Sequence, residues 1–213
     1  MKAVLISIRP EWCSRIFSGW KTVEIRKTRP VSLKEPFKCY IYCTKGTKFF
    51  CWKAVDHLYF DDRSHNLFDR RADGMVVGEF TCSYIAPIFR YTPWNPGEPA
   101  KMYAQCADGE CRKGYTDRLL QDACMNRADV EKYFDGLNGL AGYGWHISEL
   151  KIYDKPKSIL EFHRAVDKTK LWCEKCAIGG KRGTACAFCY GLDGLRIRRP
   201  PQSWCYVEEL ECT

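Results

Sequence analysis

The sequence predicts an α+β fold, a small β-barrel that carries short peripheral helices. Short apolar runs rich in β-branched and aromatic residues recur along the chain, and such runs are typical of strands. Irregular segments with turn residues separate these runs, whereas segments with helical spacing are few and short. A doubly wound sheet would need a regular helix between successive strands, so the pattern favours the barrel.

Local signals define the individual elements. Pro10 and Glu11 suit the first turn of a helix, and Gly19 lies just beyond its expected end. We expect a hairpin around 49–59 inside an irregular segment, 45–74, and a loop over 93–114. The expected strands are 3–8, a second one within 19–30, 39–44, 75–88, 143–153 and 203–210. The expected helices are 10–17, 116–124 and 129–134, with a helical turn over 156–162.

The second of these strands alternates between apolar and polar residues. Val23 and Ile25 fall on one face, and Thr22, Glu24 and Arg26 fall on the other. Such a strand can line a cleft with its polar face while its apolar face anchors it in a core. The same alternation is also typical of an ordinary half-exposed strand whose polar face is solvated.

Positive charge is concentrated around this strand. Residues 15–53 contain ten basic and two acidic residues, a net charge of +8, which equals the formal net charge of the whole chain. The rest of the sequence is therefore neutral in sum. A local excess of this size indicates a site for an anion or a nucleic acid. Global disorder is excluded because 46% of the residues are hydrophobic and 14% are aromatic.

The chain contains 14 cysteines. Its N-terminal apolar run is too short for a signal peptide, and no apolar stretch approaches the roughly 18 residues of a membrane span. We therefore expect a cytoplasmic protein that does not associate with membranes, and thiols or metal ligands in place of disulfides. Cys39, Cys43, Cys82 and Cys205 lie in strand-like runs and are expected to be small core residues.

The most specific motif is a pair of Cys-x-x-Cys knuckles near the C-terminus. Its four cysteines predict one structural zinc ion, because tetrahedral zinc prefers four thiolates and these leave no open position for water. The alternative is a set of redox-active or merely buried cysteines. The predicted ligands are Cys173, Cys176, Cys186 and Cys189. The sequence thus divides into a barrel, 1–170 plus 200–213, and a zinc-knuckle insertion, 171–199. Basic and aromatic residues flank the knuckles, which suits either nucleic acid or a solvated loop.

The second strand also carries a family resemblance. Gly19, Lys21, Thr22, Glu24 and Arg26 have the order and spacing of the ASCH-domain signature, so the chain resembles this family, a relative of the PUA-like barrels. The resemblance implies a PUA-like β-barrel with a cleft beside the second strand and RNA or nucleotide binding. One ASCH branch hydrolyses N4-acetylcytidine with a lysine, a threonine three residues later and a distant glutamate. Lys21 matches that lysine, but position 24 is a glutamate here, so the chain departs from the pattern of that branch.

Two later segments support the same resemblance. Residues 142–147 and 200–204 resemble the ASCH branch that is common in bacterial genomes and their phages. The resemblance covers residues 1–153 and the last strand, so the zinc knuckle is interpreted as an insertion before that strand.

Three hypotheses for function follow. The first is binding of RNA or a modified nucleotide, with basic residues on phosphate and an aromatic residue such as Trp20 or Trp12 for stacking. The second is a hydrolase on a nucleoside or RNA, in which Lys21 is the base or nucleophile and Glu24 moves protons. The third is a protein-interaction adaptor that docks through the zinc knuckle. The candidate nucleic-acid-binding residues are Arg9, Trp20, Lys21, Thr22, Glu24, Arg26, Lys27 and Arg29.

The remaining candidates for chemistry are few. His146 has two interpretations, a hydrogen-bonded structural residue or a base, and the first is the commoner for a lone histidine in a strand. No Gly-x-Ser-x-Gly or phosphate-loop motif occurs, so the common serine hydrolases and nucleoside triphosphatases have no support.

Overall fold

A computed structural model describes residues 1–46, 49–52, 58–61, 72–94, 98, 100–165 and 195–210, with the backbone alone for 49–52 and 58–61. The predicted zinc ligands, Cys173, Cys176, Cys186 and Cys189, lie outside these residues. No helix within the described ranges is long and apolar enough to cross a membrane.

Seven of the described strands form one mixed sheet, and a separate hairpin accompanies it. The sheet strands are β1 (Lys2–Ile8), β2 (Val23–Arg26), β3 (Phe37–Cys43), β6 (Val76–Tyr91), β7 (Lys101–Ala104), β8 (Gly139–Lys157) and β9 (Trp204–Glu208). The hairpin strands are β4 (Phe49–Trp52) and β5 (Leu58–Asp61). Three short helices, α1 (Pro10–Phe17), α2 (Tyr115–Asp122) and α3 (Arg127–Tyr133), and a 3-10 turn, Ile159–Glu161, complete the described elements. This mixed sheet with short helices confirms the α+β class.

The strand order is β2-β8-β6-β3-β1-β9, with β7 paired to β6. β1 runs parallel to β3, and every other pair in this sheet is antiparallel. The two ends of the sheet approach each other. Arg26 on β2 donates hydrogen bonds to the carbonyl oxygen of Ser7 on β1 and to the hydroxyl of Ser203, just before β9. Side-chain hydrogen bonds therefore join the ends of the sheet into a barrel-like shape.

Apolar clusters cover both sides of the sheet. One cluster packs Cys13 and Ile16 of α1 against β1, β3 and β6, together with Trp145 of β8. A second cluster packs α2 and α3 on the opposite side, against Val23 and Ile25 of β2. Because side chains alternate along a strand, Glu24 faces the side of its register partner Trp145. The apolar face of β2 is therefore packed against the helices, and Glu24 on the polar face is only 7% exposed, so this part of the strand is not the ordinary solvated face that the sequence also allowed.

Most of the expected elements are present. Helix α1 has the predicted bounds, and the hairpin of β4 and β5 lies where it was expected. Cys39, Cys43 and Cys82 are fully buried, which confirms their assignment to the core, whereas Cys205 is half-buried.

Several boundaries differ from the sequence prediction. Strand β6 continues to Tyr91 and β8 continues to Lys157, so the expected helical turn over 156–162 is reduced to the 3-10 turn Ile159–Glu161. The expected loop 93–114 contains β7, whose four residues alternate too briefly among prolines and glycines to indicate a strand. Strand β8 begins at Gly139 and not at position 143, and two glycines near its start, Gly142 and Gly144, serve close packing and not turns. A Cβ at Gly142 would lie 2.5 Å from a ring carbon of Phe134 and 2.7 Å from the carbonyl oxygen of Arg26.

Candidate binding pocket beside the second strand

A pocket of about 910 Å³ lies beside β2, an edge strand of the sheet. The end of β1, the start of α1, helix α3 and the segment before β9 form its other walls. Its lining includes four basic and two acidic residues and two aromatic rings, so its net charge is positive. The lining residues are Ser7, Ile8, Arg9, Trp12, Lys21, Glu24, Ile25, Arg26, Thr44, Met125, Asp129, Lys132, Tyr133, Gln202 and Ser203.

Lys21 is the most deeply buried charge of the pocket. Gly19 adopts a left-handed φ of 77° after α1, and this turn brings the chain back to start β2. Lys21 is only 2% exposed. Its Nζ donates to the carbonyl oxygen of Ala123 at 2.8 Å, lies 3.2 Å from Oε2 of Glu24, and sits 5.0 Å from the ring centre of Trp12. A carbonyl, a carboxylate and an aromatic face thus surround the ammonium group.

Glu24 connects two cations. It is 7% exposed; Oε2 faces Lys21, and Oε1 lies 3.0 Å from Nη2 of Arg26. Removing a carboxylate from water costs several kcal/mol, so a buried carboxylate needs such partners. The three residues form one charged cluster, with a net charge of +1, in the pocket wall.

Arg26 is held at three points. Its Nη2 donates to the carbonyl oxygen of Ser7 at 2.5 Å and contacts Glu24, and its Nη1 donates to Oγ of Ser203 at 3.3 Å. The Nε atom is buried and has no hydrogen-bond acceptor among the described residues. The guanidinium is therefore fixed in orientation.

Helix α3 contributes an aromatic wall that the sequence did not indicate. Burial raises the pKa of Tyr133, and Glu24 raises it further, while Arg26 and Arg9 act in the opposite direction. The phenol is thus protonated at neutral pH, and Tyr133 is one of the residues that line the pocket. Tyr133 and Lys132 come from a helix about one hundred residues after β2, so no local motif could link them to it.

The structure brings four of the eight predicted binding residues together in the pocket wall. These are Arg9, Lys21, Glu24 and Arg26, and Trp12 joins them. The other four, Trp20, Thr22, Lys27 and Arg29, are exposed and lie outside the lining residues.

Each of these four has a different environment. Trp20 is 76% exposed. The backbone N–H of Thr22 donates to the carbonyl oxygen of Asp122 at 2.8 Å. Lys27 lies over the ring of Tyr133, and Arg29 lies 5.6 Å from the ring centre of Tyr143.

His146 lies outside the pocket lining. Its Nε2 is 3.2 Å from the hydroxyl of Tyr115, and its ring centre is 5.5 Å from that of Tyr84. Burial lowers the pKa of His146, although Asp122 acts in the opposite direction. These contacts fit the interpretation of His146 as a hydrogen-bonded structural residue.

The fold and the pocket define a small α+β protein with a net positive cavity beside an edge strand. Among solved structures, the chain is similar to ASCH from Zymomonas mobilis, with 14% identity over 97% of this chain and 88% of that one and a TM-score of 0.48. One ZmASCH variant from the same organism shows 16% identity over 74% of this chain and 76% of that one, with a TM-score of 0.41. A second ZmASCH variant shows 14% identity over 97% of this chain and 89% of that one, with a TM-score of 0.47. No family model and no curated protein matches the chain. Similarity at this level transfers neither family membership nor function.

Proposed function

We propose that the pocket beside β2 binds a nucleotide, free or as part of an RNA. The observation that carries the proposal is the pocket lining, in which four cations and two aromatic rings surround the cavity beside β2. Two of these cations, Arg9 and Lys132, are exposed and can donate to a ligand. Phosphate oxygens and base carbonyls accept hydrogen bonds from such cations.

The shape and charge of the pocket support the same function. A volume of about 910 Å³ falls within the roughly 300–1,000 Å³ of small-molecule sites. Trp12 and Tyr133 provide aromatic surface for a base, and the exposed cations Arg9 and Lys132 provide partners for phosphate.

The charged cluster has a supporting role in this proposal. The Lys21 ammonium makes its three contacts with protein groups, and both carboxylate oxygens of Glu24 contact cations. These two residues orient Arg26, while the outer cations contact the ligand.

The test is binding of a labelled single-stranded RNA and of uridine monophosphate at two salt concentrations. Arg9→Ala and Lys132→Ala change exposed residues and should leave the fold intact. We expect each to weaken binding and to reduce its salt dependence, because fewer counterions are released per ligand bound. Lys155→Ala is the matched control, since Lys155 is an exposed cation near the far end of β8. Absence of binding at low salt, or equal losses in all three variants, would contradict the proposal.

A hydrolase acting on a nucleoside or RNA is the second candidate. It is favoured by the burial of Lys21 beside Glu24, at 3.2 Å, since catalytic lysines depend on burial and a charged neighbour. A substrate would have to displace one of the contacts of Nζ before Lys21 could act as base or nucleophile.

Chromatography of nucleosides and RNA incubated with the protein tests this candidate. Lys21→Met keeps the length of the apolar stem and removes the ammonium group. A hydrolase should show turnover in the wild type and none in the variant, with both proteins folded. Absence of turnover in the wild type rejects this candidate and leaves the binding proposal standing.

A further inference from the structure

The sheet face that carries Arg26 continues beyond the pocket onto a row of aromatic side chains. Residues directly opposite each other in an antiparallel pair share a face of the sheet. Arg26 is opposite Tyr143 on β8, and Tyr143 is opposite Pro87 on β6. Since side chains alternate along β6, Phe89 and Tyr91 share the face of Pro87. The aromatic row consists of Tyr143, Phe89, Tyr91 and Tyr103, the last of which lies opposite Phe89 on β7.

Ring contacts and burial support this assignment of faces. The ring centres of Phe89 and Tyr91 are 6.5 Å apart with nearly parallel planes, and those of Tyr91 and Tyr103 are 6.0 Å apart. The alternate residues Ile88 and Met102 are buried on the opposite face, in the core formed with α2 and α3. The pairing of β6 with β8 shifts between Ile88 and Phe89, and the extra residue lies in β8. Side chains along β6 therefore keep their alternation.

The aromatic row becomes more exposed with distance from the pocket. Tyr143 and Phe89 are half-buried, whereas Tyr91 is 48% exposed and Tyr103 is 43% exposed. Exposed aromatic rings on a sheet surface are suited to stacking with planar bases, and every base offers such a face.

Cations lie at both ends of the row. The guanidinium of Arg29 is 5.6 Å from the ring centre of Tyr143, next to the pocket. Lys101 is exposed and lies opposite Tyr91, so it shares the face of the row at its far end. Aromatic rings between positive charges match the alternating bases and phosphates of a nucleic-acid strand.

We propose that the aromatic row is a stacking surface for single-stranded nucleic acid that leaves the pocket across this face of the sheet. The proposal rests on the proposed function and extends it, because the ligand is then an oligonucleotide and not an isolated nucleotide. Strand geometry places Tyr143 and Tyr91 roughly 14 Å apart, a span longer than a single nucleotide.

The test compares an eight-nucleotide single-stranded RNA with uridine monophosphate, using fluorescence anisotropy for the RNA and calorimetry for the mononucleotide. The double variant Tyr91→Ala/Tyr103→Ala removes two exposed rings. Because stacking contributes about 1–3 kcal/mol per base, we expect its affinity for the RNA to fall at least about tenfold. Its affinity for uridine monophosphate should not change, since neither ring lines the pocket.

Two further variants serve as controls. Tyr91→Phe/Tyr103→Phe keeps both rings and should bind the RNA as the wild type does. Leu160→Ala truncates an exposed apolar side chain on the 3-10 turn and should have no effect.

The proposal is overturned if the double alanine variant binds the RNA like the wild type, or if the RNA binds no more tightly than the mononucleotide. The pocket proposal is judged separately. If uridine monophosphate does not bind but RNA binding depends on the two tyrosines, the pocket proposal is overturned and the proposal of the aromatic row as a stacking surface stands. If the protein binds an unrelated peptide and not RNA, and the double alanine variant loses that binding, the aromatic row is not a nucleic-acid surface.

Discussion

The carboxylate of Glu24 and the guanidinium of Arg26 lie 3.0 Å apart, and this contact links the candidate site to the closure of the sheet. Arg26 reaches on to Ser7 and Ser203, and Glu24 reaches back to Lys21. The same polar chain therefore lines the pocket and joins the ends of the sheet. Substitutions within it should affect stability as well as ligand binding, whereas substitutions at the exposed rim should affect binding alone.

Replacing Glu24 tests the structural role of the charged cluster. Glu24→Gln leaves Lys21 and Arg26 buried without their shared anion, and breaking such an arrangement costs about 3–5 kcal/mol. We expect a loss of this size in the free energy of unfolding, measured by urea denaturation with tryptophan fluorescence. Addition of Lys21→Met should restore part of the loss, because one of the two unpaired cations is then removed.

Asp117→Asn is the matched control for this carboxylate-to-amide change. Asp117 pairs with Arg127 at 2.8 Å, but both side chains are exposed, so the expected cost is below about 1 kcal/mol. Equal losses of unfolding free energy in Glu24→Gln and Asp117→Asn would show that burial of the charged cluster adds nothing to the stability that Glu24 provides.

Gly142→Ala tests the close approach of β8, β2 and α3. The new Cβ would lie 2.5 Å from the ring of Phe134 and 2.7 Å from the carbonyl oxygen of Arg26. Overpacking of this kind costs about 1–3 kcal/mol, and the loss should appear in thermal and urea unfolding. Gly46→Ala, where a Cβ meets no atom within 4 Å, should leave stability nearly unchanged. A stable Gly142→Ala variant would show that Phe134 and the backbone of Arg26 can move apart freely.

Stability should fall with decreasing pH because of His146. Its pKa in the folded state is lowered by burial, so below the ordinary histidine value of about 6.5 the unfolded chain binds the proton that the folded chain resists. Protonation then favours unfolding, and part of the stability is lost as pH decreases from 7 to 5. Urea denaturation at several pH values should show a smaller loss for His146→Gln than for the wild type. If the unfolding free energies of the wild type and His146→Gln change equally with pH, His146 is not the source of the pH dependence.

The zinc site remains a prediction from the sequence. We expect one zinc ion per chain by elemental analysis, held by Cys173, Cys176, Cys186 and Cys189. Cys186→Ser or treatment with a strong chelator should remove it. Cys111→Ser replaces an exposed free cysteine and should retain the metal. Zinc-free wild-type protein, or unchanged zinc in Cys186→Ser, would contradict the prediction.

The sequence alone determined the elements whose signals are local. Helix α1 follows from Pro10 and Gly19, and β2 follows from its alternation. Lys21, Glu24 and Arg26 were selected from their spacing and the surrounding positive charge, and they prove to be in contact.

The tertiary structure decided what surrounds them. Helices α2 and α3 cover the apolar face of β2, and Tyr133 and Ser203 join the pocket. Phe89 and Tyr103 come to lie on the face of Arg26. These arrangements depend on strand register and on helix packing between residues that are tens to hundreds of positions apart. A local pattern specifies which residues share a face of one strand, but only the packing of the whole chain specifies what that face meets.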